Sequence, residues 1–337
     1  MTGFKSYFKL HFKANIRPLI YILAAVTVLT FLLALDGQPT AYYDFELNMS
    51  FPDYKSTLYI PVIFLSILAY VLPVLEFSFF KKRINLDCAY SLPISRRAMG
   101  TVHYLTGLIT LLGAFTVSYL VNFALLLSRG DGWFNFAPMI AHYLLCLLLG
   151  FAMYSLMVFV FNEANTKGDG IWFMILYTFV VILVVSAFSK IIGNNDLFST
   201  EFTTIPWGMA SVLTSYYQYL VEIEYIRSGF WQTPEYVLMF IFWVAVGIAS
   251  AVGFFLTFGK RRMEKTEEIS NTYFGYRVLI PIYAICGMIT FETSKAIIFW
   301  VIIELFALLG YTIYRRGFHY KRSDIIILLS LLAFLFI

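Results

Sequence analysis

Residues 98–128 read AMGTVHYLTGLITLLGAFTVSYLVNFALLLS, 31 positions without one Asp, Glu, Lys or Arg. A helix needs ~20 predominantly apolar residues to cross ~30 Å of hydrocarbon, so this run alone suffices for a crossing. The same marking gives residues 18–35, 56–75, 132–162, 170–189, 236–259 and 278–291, and an eighth run, 296–314, is interrupted only by Glu304. The run 278–291 is short; Tyr273, Phe274 and Tyr276 extend it as an interfacial collar, with Arg277 reaching back to the headgroups. Residues 325–337 are only 13 positions, apolar but for Ser330, too few for a crossing, and read as a half-span or a truncated ninth helix.

Composition agrees with this reading. Of 337 residues, 60% are hydrophobic, 19% aromatic and 13% charged, against roughly 25% charged in soluble domains. Mean hydropathy is +0.78, more apolar surface than one soluble core hides. A cytosolic enzyme is excluded. The net charge of +4 does not point to nucleic acid, because the charges lie between the apolar runs.

Eight crossings with the N-terminus inside place residues 1–17, 81–103, 162–169, 259–277 and 315–324 in the cytoplasm. These segments hold 19 of the 24 basic residues; the outside keeps Lys55, Arg129, Lys190, Arg227 and Lys295. Lys and Arg accumulate on the cytoplasmic side of membrane proteins, and shifting the register by one span reverses the count. The basic start continues to Arg17, and no small-residue cleavage site follows the apolar run, so the N-terminus is expected to be retained. With no internal repeat and no linker, the chain reads as one all-α polytopic membrane domain over 1–337.

Within the first 17 residues, Phe4, Phe8, Phe12 and Ile16 share one i, i+4 row, while Lys5, Lys9, Lys13 and Arg17 share the next. That pattern suits a basic amphipathic helix in the headgroup plane, each cation contributing ~1 kcal/mol near anionic lipid. A plain positive-inside anchor is the alternative. Outside, residues 190–235 carry Trp207, Tyr216, Tyr217, Tyr219, Tyr225 and Trp231 with only two basic residues; an outer gate and an interfacial aromatic belt both fit.

Cys88, Cys146 and Cys286 are far apart and form no CxxC pair, and His11, His103, His142 and His319 are equally scattered without HExxH. No disulfide, zinc site or cofactor is expected. Ionisable groups within spans cost ~2.5–3.5 kcal/mol at mid-membrane, which singles out Glu76, near the cytoplasmic end of the second span, and Glu304, near the middle of the eighth. Either can line a substrate path; Glu304 can bind a cation or proton, or hydrogen-bond a neighbouring helix. His142 reads as a packed or interfacial histidine.

The segment 81–103, KKRINLDCAYSLPISRRAMGTVH, has more order than a loop needs. The second span can continue as helix through Arg83 and Asp87, which at i, i+4 share a face. Pro93 then disfavours helix at Leu92, and Ser95 can cap a new helix carrying Arg96 and Arg97. The expectation is a helical knuckle that docks on a partner; a basic loop that fixes topology is the alternative.

The stretch RINLDCAYSLPISRR, after an aromatic-rich second span, resembles the cytoplasmic segment of ABC-2-type exporter permeases, particularly peptide-antibiotic and lipid-related exporters of Gram-positive bacteria. In that family the segment is a coupling helix docking on a separate ATP-binding cassette subunit. The resemblance makes Arg83, Asp87, Ser91, Leu92, Pro93, Arg96 and Arg97 the docking residues, residues 1–17 the interfacial helix, 162–169 a second cytoplasmic contact, and 18–260 the six-helix core. Residues 261–337 add spans beyond the family's usual six. It also implies a homodimer or a heterodimer with a second permease, in a bacterial cytoplasmic membrane, moving a hydrophobic or amphipathic peptide or lipid.

The chain has no GxxxxGK[ST]; Gly253 to Lys260 has the wrong spacing, so ATP is hydrolysed elsewhere under this reading. An intramembrane enzyme finds no HExxH or GxSxG, and Glu267 with Glu268 lacks a suitably placed Arg. A secondary transporter predicts inverted repeats and broken helices; Pro61, Pro73 and Pro281 can kink spans, yet no second half mirrors the first.

Overall fold

The computed structural model describes residues 2–36, 40–44, 49–53, 55–128, 136–192, 205–222, 234–260, 266–268, 270, 272, 274–291 and 297–334. Arg129, Tyr225, Arg227, Trp231, Tyr273 and Lys295 lie outside them, as do the side chains of Lys55, Cys88, Tyr216, Tyr217 and Tyr219. Eleven α-helices are described: α1 Thr2–Asp36, α2 Lys55–Phe77, α3 Arg83–Tyr90, α4 Arg96–Ser128, α5 Phe136–Glu163, α6 Lys167–Ile192, α7 Pro206–Glu222, α8 Pro234–Phe258, α9 Tyr276–Phe291, α10 Ile297–Arg315 and α11 Arg322–Phe334. One antiparallel hairpin, β1 Thr40–Asp44 with β2 Met49–Asp53, interrupts the all-α pattern, with Tyr42 opposite Phe51.

Six helices are long and apolar enough to cross a membrane, spanning Phe4–Leu35, Leu58–Lys81, Arg96–Ser128, Phe136–Glu163, Lys167–Phe188 and Tyr236–Phe258. They correspond to the first six runs read from the sequence. On α2, Ile63, Ile67, Val71 and Leu75 form one i, i+4 row of exposed aliphatics, while Leu58, Leu65, Ala69 and Leu72 are buried. Exposed in water, such a row costs about 25 cal/mol per Å²; against acyl chains it costs little. The chain is thus a helical protein with the architecture of a multi-pass membrane protein. Beyond these six, α9 at 16 residues and α11 at 13 reach about 24 and 20 Å at 1.5 Å per residue, less than the hydrocarbon thickness.

The chain divides into two compact units interleaved in sequence: Met1–Phe77, Cys88–Phe159 and Pro206–Arg261 form one, and Ser78–Asp87, Val160–Ile205 and Arg262–Ile337 the other. In the first unit α1 packs on α4 and α2, α2 on α4 and α7, and α8 on α4 and α7. Gly247 of α8 meets Ala152 of α5 backbone to backbone: a Cβ there would lie 2.4 Å from Ala152 Cα. Small residues allow this approach, and dispersion over the close contact holds helices together where lipid offers no hydrophobic drive.

The amphipathic start is not a separate interfacial helix. Helix α1 runs unbroken through Pro18, although proline removes one hydrogen bond and crowds the preceding turn. The expected rows are present: Phe4 stacks on Phe8 and Phe8 on Phe12, with Lys5, Lys9, Lys13 and Arg17 exposed. A third row, Tyr7, His11 and Asn15, turns inward. Its bonds to α2 and α4 bring the basic turns onto the helices that the apolar turns also cover.

In the second unit α9 packs on α6, α10 and α11, and α10 on α11. The turn between α10 and α11 is fixed by Arg315, whose Nε and guanidinium nitrogen reach Asp324 Oδ2 and Oδ1 at 2.8 and 3.0 Å. Asp324 also accepts from the Lys321 N–H at 3.1 Å. Arg316 (φ 52°) and Gly317 (φ 155°) carry positive φ where α10 ends, and the Gly317 N–H returns to Thr312 O at 3.0 Å, satisfying a terminal carbonyl.

Candidate functional site

The last four carbonyls of a helix lack intrahelical donors and carry partial negative charge. At the end of α5 that need is met from a distance. Helix α2 stops at Phe77, a 3-10 turn covers Ser78–Lys81, and Lys81, 3% exposed, points inward. Its Nζ donates to the carbonyls of Phe161, Asn162 and Ala164 at 2.7, 3.2 and 2.5 Å and lies 5.0 Å from the Phe161 ring centroid. The sequence expectation of one helix continuing from the second span through Asp87 is therefore corrected: the ammonium's turn toward α5 breaks it, and a separate α3 begins at Arg83.

Arg83 then reaches away from its own helix. Its Nε donates to Thr266 O at 2.9 Å, and its guanidinium lies 3.8 and 3.9 Å from Glu267 and Glu268 carboxylate oxygens. Exposed pairs of this kind contribute ~0–1 kcal/mol, so they orient α3 more than they stabilise it. The contact to residues 266–268 takes Arg83 beyond the i, i+4 partnership with Asp87 that its spacing allows.

The turn from α5 to α6 joins the same cluster. Thr166 caps α6, its Oγ1 accepting from the Asp169 N–H at 3.0 Å. Asp169 then accepts from Ser270 Oγ at 2.7 Å and Tyr276 OH at 2.9 Å, while Ser270 Oγ accepts from the Asn165 N–H at 2.7 Å. The Glu267 N–H donates to Asn165 O at 3.3 Å. Lys81 and Arg83, residues 161–169, and Thr266, Glu267, Ser270 and Tyr276 thus form one hydrogen-bonded hub. They come from three segments that the charge pattern assigns to one side of the membrane.

The expected docking residues are accessible. Arg83 and Asp87 are exposed on α3, and Ser91, Leu92, Pro93, Arg96 and Arg97 are exposed further along the chain. Ser95 caps α4 as its position predicts, accepting from the Ala98 N–H at 3.3 Å. Two apolar side chains stand out along this polar stretch: Ile84 is 85% and Leu92 42% exposed. Arg97 is held differently, its stem over Gly259, where a Cβ would come within 2.7 Å of Arg97 Cγ.

The two singled-out carboxylates fall in separate units. Glu304 Oε2 is buried with no hydrogen-bond partner among the described residues. Glu76 is instead enclosed by histidines: its Oε2 lies 3.2 Å from both His11 Nε2 and His103 Nδ1. Tyr7 OH sits 3.2 Å from His103 Nε2, and Asn15 Nδ2 2.8 Å from His11 Nε2. Sequence reading missed this cluster because it saw four scattered histidines. The inward i, i+4 row Tyr7, His11 and Asn15 was the available signal. His142 is a packed histidine as expected, within reach of Tyr119 OH at 2.9 Å and Thr214 Oγ1 at 3.2 Å. Cys146 is buried and Cys286 partly so.

No family model, curated protein or solved structure matches this chain.

Proposed function

We propose that the chain is the membrane-spanning subunit of an ATP-driven exporter of the ABC-2 type. In this reading it crosses the membrane eight times with its N-terminus inside, the short α9 completing its crossing with an interfacial aromatic collar, and pairs as a homodimer or with a second permease in a bacterial cytoplasmic membrane. The observation that carries the reading is the hub: Lys81 and Arg83 anchor the start of the 81–103 segment to 161–169 and 266–268. Force applied to α3 therefore passes into α5 and the turn before α6 instead of being lost in a loop. Closure of two ATP-binding subunits moves this segment and rocks the permease halves between inward-open and outward-open states. The aliphatic and aromatic helix walls suit a lipid or amphipathic peptide as cargo.

The test is recovery of the partner. Tagged chain, extracted from native membranes in mild detergent, should copurify with a polypeptide bearing a Walker motif. Reversing two charges, Arg96→Glu with Arg97→Glu, should abolish that recovery without changing the chain's elution volume. Absence of any ATP-binding partner, or undiminished recovery with residues 82–97 scrambled at constant charge, would refute the proposal. A second reading, a secondary transporter, is favoured by the unpartnered Glu304 Oε2; it requires Glu304→Gln to abolish ion-driven uptake into vesicles lacking ATP.

A further inference from the structure

We propose that His11, Glu76 and His103 form a binding site for a divalent transition-metal ion of the zinc class, which ties the starts of α1 and α4 to the end of α2. The proposal does not depend on the permease reading. Three side chains from three helices aim their ligand atoms at one point: all three atoms lie within 4.8 Å of one another. Two imidazole nitrogens and one carboxylate oxygen are the donor set zinc takes in three-ligand sites, with a fourth position left to water.

The distances suit an ion. Bonds of ~2.0–2.1 Å in tetrahedral array set ligand atoms about 3.3 Å apart. The Glu76 Oε2 separations from His11 Nε2 and His103 Nδ1 are both 3.2 Å. The third edge, between the histidines, stays within the 4.8 Å limit, and the rings already lie 4.0 Å apart by centroid. Side-chain exposures of 13%, 10% and 8% for His11, Glu76 and His103 shield the site from bulk water.

The surroundings supply what a metal-bound imidazole needs. His103 uses Nδ1 toward the ligand point and keeps Nε2 for Tyr7 OH at 3.2 Å, the outer contact that fixes the ring and its tautomer. Asn15, one turn after His11, borders the same point; its amide oxygen and nitrogen exchange on rotation, so it can offer oxygen to the ion or to its water.

The test uses the full chain in mild detergent, purified without a polyhistidine tag or chelator. Elemental analysis should find about one zinc per chain, and after chelation a Zn²⁺ titration should restore it. Co²⁺ should give the intense d–d absorption of a tetrahedral site. His11→Gln and Glu76→Gln should each weaken Zn²⁺ binding by more than ~100-fold, and the positioning change Tyr7→Phe by ~10-fold. Since Glu76→Gln can disturb packing, a second readout is thermal: chelation should lower the melting temperature of wild type and leave that of His11→Gln unchanged. Metal-free chain, equal Zn²⁺ affinity in wild type and His11→Gln, or octahedral Co²⁺ spectra would overturn the proposal and leave a hydrogen-bonded histidine–carboxylate cluster only.

Discussion

Replacing Lys81 with methionine isolates the contact on which the coupling argument depends. Methionine keeps most of the length and volume of the side chain, so what is lost is chiefly charge and three donors. A hydrogen bond from a charged group contributes ~1.5–3 kcal/mol, and Lys81 makes three, at 2.7, 3.2 and 2.5 Å. Against this stands the cost of burying an ammonium, several kcal/mol after relaxation. The net follows from what stays behind: carbonyls at the end of α5 that lose their cation, and a Phe161 ring that loses a cation–π contact of ~0.5–2 kcal/mol. Each carbonyl left without a donor costs ~1–3 kcal/mol, so with the ammonium's desolvation recovered the net loss is about 3–5 kcal/mol. At ~2–4 °C per kcal/mol for a domain of 150–250 residues, the melting midpoint should fall by roughly 10 °C. The assay is intrinsic fluorescence on heating in detergent, with chromatographic recovery of the unaggregated protein as a second measure. Lys81→Arg should lie between the two, since a planar fork cannot satisfy three convergent carbonyls as an ammonium does. A Lys81→Met midpoint within ~2 °C of wild type would refute the reasoning, and with it the claim that the hub transmits force.

Asp324→Asn removes the charge that Arg315 meets at 2.8 and 3.0 Å in a largely buried turn; a loss of ~3 kcal/mol is expected from the midpoint in the same melt. Ser95→Ala deletes the cap of α4 and should cost ~1 kcal/mol while leaving partner recovery intact, because Ser95 anchors the helix and is not offered as a docking residue. Gly247→Val drives a branched side chain into Ala152, and the variant should fail to elute as a single species, whereas Gly113→Ala, with nothing within 4 Å of the new Cβ, should behave as wild type.

What the sequence displayed and what it concealed differ by range. The six long spans were legible because each is a contiguous property: thirty-one uncharged positions between Arg97 and Arg129 need no knowledge of any neighbour. The cap at Ser95 and the Phe and Lys rows of α1 were legible for the same reason, since they rest on offsets of three or four residues. The break before α3 was not. Nothing between Phe77 and Arg83 forbids helix; the break arises because the Lys81 ammonium answers carbonyls at Phe161, Asn162 and Ala164, eighty residues away by the chain. The histidine cluster was hidden likewise, each member ordinary in its own segment.

That contrast bears on how the molecule can work. In a membrane the apolar surface is nearly neutral between helix arrangements, so what selects one arrangement is the few polar contacts that lipid cannot replace. In this chain two such sets stand out: Lys81 and Arg83 with 161–169, 266–267, 270 and 276 in one unit, and His11, Glu76 and His103 in the other. Each set ties together helix ends, and further polar contacts lie along the spans, Thr30 with Ser118, Tyr104 with Ser155 and Tyr119 with His142 among them, while the aliphatic row of α2 is exposed. A motor gripping α3 would need the hub to move as one body, so cross-linking α3 to residues 266–268 through cysteines at Arg83 and Glu267 should leave partner binding intact and still permit transport. A cross-link that stopped transport while sparing partner binding would show that the hub itself has to open.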